Sequence, residues 1–138
     1  MDQQWLWVCS VAHVRPMLNG LRILLVDDDP VVRALYVCVL QEAGAAVVSS
    51  GLATEALQLI DLQAPDAVVT DLKMPEHDGI WLLNELRARL PGVPVIAVSG
   101  CLPDAGLLDL QRLGFFDVLA KPIGLSVLTE TVARAAGR

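Results

Sequence analysis

From Leu21 onward the sequence alternates, five times, a short apolar run with a segment of helical period. Few folds accommodate that rhythm. Short runs such as "LRILLV" are continuously apolar after Arg22, as expected for a strand buried on both faces. Each intervening helix must then lie against the sheet as a crossover, which makes consecutive strands parallel and covers both faces. The predicted strands are "LRILLV", "AAVVS", "DAVVTD", "VPVIAVSG" and "FDVLAKP". The predicted helices are "PVVRALYVCVLQEAG", "GLATEALQLIDLQ", "DGIWLLNELRARL", "DAGLLDLQRL" and "LSVLTETVARAA". Pro30 suits a first helical position with Asp29 as N-cap, and Gly44 suits the end. In this first helix Val31, Leu35, Val39 and Ala43 recur every fourth position, which predicts the buried face, and Cys38 among them is expected in the core. Asp78 is the expected N-cap of the third helix, and Trp81 is expected to pack. Residues 1–20 carry no steady period and are expected as an extension outside the domain of residues 21–138; Met17 could be the natural start, and Trp5 and Trp7 could pack on the domain or on a second copy.

Polar residues collect where the predicted strands end. Asp27 and Asp28 close the first, Asp71 the third, Ser99 the fourth, and Lys121 with Pro122 the fifth. In an open α/β sheet the ligand crevice lies beyond the carboxyl ends of the strands. With the first strand central, flanked by the second and third, all five polar side chains converge there.

Two carboxylates about 4 Å apart repel by roughly 4 kcal/mol at an effective dielectric near 20. One Lys121 does not neutralise Asp27, Asp28 and Asp71, so the cluster either raises a pKa or takes up a cation. Oxygen ligands without His or Cys select a hard ion, and Mg²⁺ fits best, since it uses few carboxylates and retains waters for phosphate oxygens. Asp29 differs; as a helix cap it can point away. A carboxylate beside Mg²⁺ and a lysine can also act as a nucleophile toward phosphorus. Asp71 is the best candidate, with Lys121 and the Ser99 hydroxyl to meet the phosphoryl oxygens.

The stretches "ILLVDDDP", "VVTDLKMPEHDG", "VIAVSG" and "VLAKPI" resemble, in this order and spacing, the receiver domains of two-component response regulators. The resemblance covers Leu21 to the C-terminus. It implies a flavodoxin-like (βα)5 three-layer sandwich with a parallel five-stranded sheet of order 2-1-3-4-5. It implies a phosphorelay module in which Asp71 accepts a phosphoryl group from a histidine kinase or histidine phosphotransfer protein. Mg²⁺ would be held by Asp27 and Asp28, Asp28 directly, helped by Asp71 and the backbone carbonyl of Lys73. Ser99 would move toward the phosphoryl group, Lys121 would pair with it, and the bond before Pro122 would be cis. The loop "GCLPD" would move, and the face of the fourth helix, fifth strand and fifth helix would be reshaped. The sequence departs from the family at Val118, where a ring is usual; Phe116, expected on the same strand face, is the one candidate to replace it. Lys73 and Cys101 flank the site where dephosphorylation is tuned.

Other functions fit less well. A phosphatase of the haloacid-dehalogenase type needs a second Asp two positions after its nucleophile, and Lys73 stands there. A nucleotide or flavin binder needs a glycine-rich phosphate loop, which is absent. A degenerate receiver, acting as a constitutive docking module, is kept open by Val118. His77 is expected in an exposed loop and His13 is expected to be incidental.

At 138 residues the chain holds one domain, and more than half of it is apolar. No stretch is long and uncharged enough to span a bilayer, so no membrane association is expected. The net charge of −6, without a basic run, argues against direct nucleic-acid binding. Cys9, Cys38 and Cys101 follow no zinc or CxxC spacing, and with no convincing signal peptide the expectation is a reduced, cytoplasmic protein that is not an enzyme.

Overall fold

A computed structural model describes residues 17–100 and 106–138. Five parallel strands, β1 (Arg22–Val26), β2 (Ala46–Ser50), β3 (Ala67–Asp71), β4 (Val95–Ser99) and β5 (Asp117–Ala120), form one sheet of order β2-β1-β3-β4-β5. The connecting helices are α1 (Pro30–Glu42), α2 (Ala53–Leu62), α3 (Gly79–Arg89), α4 (Gly106–Leu113) and α5 (Leu125–Ala135). This is the expected flavodoxin-like sandwich. Among the described residues no helix is long and apolar enough to cross a membrane.

The period of two along each strand divides the core. Leu24 and Val26 of β1 face Leu57, Leu82 and Leu86 of α2 and α3, while Ile23 and Leu25 face Leu40, Leu128 and Val132 of α1 and α5. Every residue of β3 and β4 is buried, which is why those strands read as apolar runs up to Thr70, Asp71 and Ser99 at their carboxyl ends. Truncating one of these leucines to alanine costs about 2–5 kcal/mol.

Asp29 caps α1 as expected; its Oδ1 accepts from the backbone N–H of Val31 at 2.9 Å and of Val32 at 3.3 Å. Asp78 caps α3, accepting from the N–H of Trp81 at 2.8 Å. Trp81 packs against the α2–α3 core, and its ring stacks on His77 with centroids 3.8 Å apart.

The buried face of α1 departs from expectation. The helix buries Tyr36, Leu40 and its cap Ala43, with Val32 and Val39 packed beside them. Val31 is 77% exposed, Leu35 49%, and Cys38 is exposed rather than in the core. Leu18, assigned above to the extension of residues 1–20, is fully buried, and its N–H donates to the Ala43 carbonyl at 2.9 Å. Trp5, Trp7, Cys9 and His13 lie outside the described residues, as do Cys101 and most of the "GCLPD" loop.

Candidate functional site

The strand order reverses at β1, which pairs with β2 on one side and β3 on the other. A crevice opens beyond the carboxyl ends of strands at such a point. Asp27 follows β1 directly and Asp71 is the last residue of β3, so the topology delivers two acids to the crevice. Both are buried. Asp28 is exposed at the rim, and Asp27, Asp28 and Asp71 each offer an oxygen within 4.8 Å of the others.

Lys121 reaches the same point from the end of β5. Its Nζ donates to Asp27 Oδ2 at 2.9 Å and to Asp71 Oδ2 at 3.1 Å. Burial alone would pull the ammonium down; the hydrogen bonds and charges of Asp27 and Asp71 outweigh it and hold Lys121 above the ordinary lysine range. The Lys121–Pro122 bond is cis. The backbone N–H of Lys121 donates to the carbonyl of Ser99 at 2.8 Å, so the buried serine at the end of β4 stands next to the lysine. Lys73 is exposed just beyond β3, and its N–H donates to Asp71 Oδ1 at 3.3 Å.

Asp27 is tied at four points. Its N–H donates to the Ser50 carbonyl at 3.1 Å, its Oδ1 accepts from the Asp29 N–H at 2.9 Å, its Oδ2 accepts from Lys121, and its carbonyl accepts from Arg33 Nη1 at 2.7 Å. Asp27 is thus fixed, while Asp28 stands at the open edge.

The expected site residues Asp27, Asp28, Asp71, Lys73, Ser99 and Lys121 all come to the carboxyl end of the sheet. Three acids against the one ammonium paired with them leave negative charge in excess. A set of oxygens this close suits a hard dication with metal–oxygen distances of about 2.0–2.1 Å. Three neighbours escaped sequence reasoning. Arg33 carries the Asp27 carbonyl. Gly79 brings the start of α3 against β3; a Cβ there would fall 2.5 Å from the Asp71 carbonyl oxygen. Tyr36 lies under the acids: burial raises its phenol, Lys121 opposes this, Asp27 and Asp71 add to it, and the net shift is upward. The "HDG" turn was the only available signal for Gly79, and Arg33 and Tyr36 had none beyond their position in α1.

The family model for the response regulator receiver domain matches residues 23–133. The chain belongs to the response regulator receiver domain family. Receivers of this family are signalling modules, phosphorylated on aspartate by kinases. The chain is 36% identical over 112 residues to the transcriptional regulatory protein GlrR of Escherichia coli, covering 80% of this chain and 25% of that protein. It is 39% identical over 125 residues to the sensor kinase CckA of Brucella abortus, covering 89% of this chain and 13% of that protein. The chain therefore spans about a quarter or less of these relatives. The receiver domain of NtrX from Brucella abortus superposes with a TM-score of 0.78 at 30% identity, covering 83% of this chain and 98% of that one.

Val118, where other receivers usually carry a ring, is buried in the core on the α2–α3 face. Phe116 precedes β5 and is half-exposed, with the Arg134 guanidinium 5.9 Å from its ring centroid. Arg134 also pairs with Asp117 at 3.3 Å.

Proposed function

We propose that Asp71 is the phosphoacceptor of this receiver, and that the donor is the phosphohistidine of a histidine kinase or histidine phosphotransfer protein. One observation carries the reading: Lys121 bridges the carboxylates of Asp27 and Asp71 while Asp28 stands within ligand distance of both. An Asp71 oxygen attacks phosphorus as the bond to the donor imidazole breaks. The donor ring carries a proton on its other nitrogen, so the nitrogen that keeps the P–N electron pair leaves as neutral imidazole, and the phosphoryl group ends on Asp71.

Asp27, Asp28 and Asp71 would hold Mg²⁺, with the Lys73 carbonyl as a further oxygen. When bound, the ion neutralises charge on the transferring oxygens and lets a carboxylate meet an anionic donor. Lys121 supplies a second positive charge, and its pairing with both acids keeps it on the spot before the donor arrives. Ser99, adjacent to Lys121, is the hydroxyl we assign to the phosphoryl oxygens. A hydrogen bond to a charged group contributes about 1.5–3 kcal/mol, enough to bias a two-state loop.

A protein donor is favoured by the surface beside the acids. Val31 and Leu35 are exposed on α1, whose first turn follows Asp28 and Asp29. Output would pass through α4, β5 and α5. With Val118 buried and Phe116 under Arg134, no ring at position 118 can swing inward, which also supports the second reading of a docking module whose face does not change.

The test is incubation of the chain with acetyl phosphate, with and without Mg²⁺, followed by mass mapping. Label on Asp71 that requires Mg²⁺ and vanishes in Asp71→Asn is the expected result. Label that persists in Asp71→Asn overturns the assignment.

A further inference from the structure

Arg33 extends from the first turns of α1 toward the end of β1. Its Nη1 donates to the carbonyl of Asp27 at 2.7 Å. That carbonyl belongs to the planar peptide joining Asp27 to Asp28, so holding the oxygen holds the plane from which Asp28 departs. The guanidinium lies over Gly51, just past β2, where a Cβ would fall 2.8 Å from Nη1. The N–H of Asp27 is held by the Ser50 carbonyl of the same strand end. A backbone bond thus joins the ends of β1 and β2, and Arg33 holds the Asp27 carbonyl from the space beside Gly51 that an added Cβ would crowd.

We infer that Arg33 is a positioning residue for the cation site, fixing the Asp27–Asp28 peptide against Gly51 so that the Asp28 carboxylate stands opposite Asp71. The inference rests on reading the three acids as a Mg²⁺ site. Arg33 bonds a carbonyl and not a carboxylate, so it orders the acids without occupying their oxygens. Its charge alone would repel a dication. Geometry and charge thus predict opposite signs when Arg33 is removed, which makes the two effects separable.

The probe is Mg²⁺ alone, titrated calorimetrically into the full chain and into Arg33→Met, Arg33→Lys, Gly51→Ala and the Arg33→Met/Gly51→Ala double variant. Substitutions behind metal ligands typically cost 10–100-fold in metal affinity. Arg33→Met should weaken Mg²⁺ binding by about tenfold, and Arg33→Lys should restore part of it. Gly51→Ala keeps the net charge and displaces only the flexible end of a side chain. It should weaken binding to a similar degree with little change in thermal midpoint. The double variant should bind no more weakly than Arg33→Met, because both changes break one contact. Affinity unchanged or tightened in Arg33→Met overturns the inference, as does unchanged affinity in Gly51→Ala. Should Arg33→Met fail to fold, Gly51→Ala decides alone. A wild-type chain that takes up no Mg²⁺ overturns the reading of the acids, and this inference with it.

Discussion

Lys121 Nζ sits 3.1 Å from Asp71 Oδ2, across a sequence separation of 50 residues, and shares itself with Asp27 Oδ2 at 2.9 Å. The pairing ties the outer strand β5 to the central strands β1 and β3, and it holds the ammonium above the ordinary lysine value of about 10.4. A folded-state pKa above the unfolded one contributes stability that is complete below the unfolded value and is lost as pH rises through the folded value. Tyr36, also raised, acts in the same alkaline window. Urea midpoints should therefore fall from about pH 10 upward. Lys121→Met should lower stability at neutral pH by about 1.5–3 kcal/mol and flatten the alkaline decline, while Tyr36→Phe removes only the phenol's part. A decline as steep in a Tyr36→Phe/Lys121→Met double variant as in the wild type would show that neither group governs it.

Lys121 pairs with Asp27 and Asp71 and not with Asp28, so the repulsion Asp28 adds to the cluster is not offset by that ammonium in the metal-free protein. Asp28→Asn should raise the metal-free thermal midpoint by a few degrees, corresponding to about 1 kcal/mol for a domain of this size. The same change should nearly abolish the further rise that Mg²⁺ gives the wild type through binding linkage. Parallel melts with EDTA and with millimolar Mg²⁺ read both effects. A variant that loses metal-free stability yet keeps the full Mg²⁺ response would contradict the role given to Asp28.

The strands were legible because β3 and β4, buried on both faces, are apolar up to the polar residues at their carboxyl ends. The site was legible because its acids, hydroxyl and ammonium each stand at a strand end, and parallel topology puts those ends together. The buried face of α1 was not. Val31, Val32, Leu35, Val37, Val39 and Leu40 crowd one helix, so a spacing of four fits more than one stripe, and only the direction of the sheet chooses Tyr36 and Leu40 over Val31 and Leu35. The Arg33–Gly51 contact was hidden for another reason: it arises from β2 lying beside β1, which no local pattern encodes.

Gly79 has a steric task beside Asp71. Its N–H donates to the Leu72 carbonyl at 2.9 Å, and the absent Cβ leaves room for the Asp71 carbonyl. Backbone, not a flexible side chain, would meet an added methyl. Gly79→Ala should thus destabilise by about 1–3 kcal/mol and slow labelling of Asp71 by acetyl phosphate, since the start of α3 must move away from the end of β3. Denaturant titration and initial labelling rates on the same preparation test this. Unchanged values for both would mean that the loop absorbs the methyl without disturbing Asp71.

Val31 and Leu35 expose apolar surface on the helix that begins directly after the acids, and neither contributes to the core expected from their spacing. Exposed positions of this kind tolerate polar substitution within about 0.5 kcal/mol. A donor protein that buries them would lose contact area in a Val31→Ser/Leu35→Ser variant, and a loss of about 1.4 kcal/mol corresponds to a tenfold weaker complex. Phosphotransfer from a histidine phosphotransfer protein should therefore require about tenfold more donor. Labelling by acetyl phosphate, which needs no docking surface, should stay at the wild-type rate, as should the Mg²⁺ affinity. Equal losses with both donors would place the defect in the crevice itself and remove α1 from the account of how a donor binds.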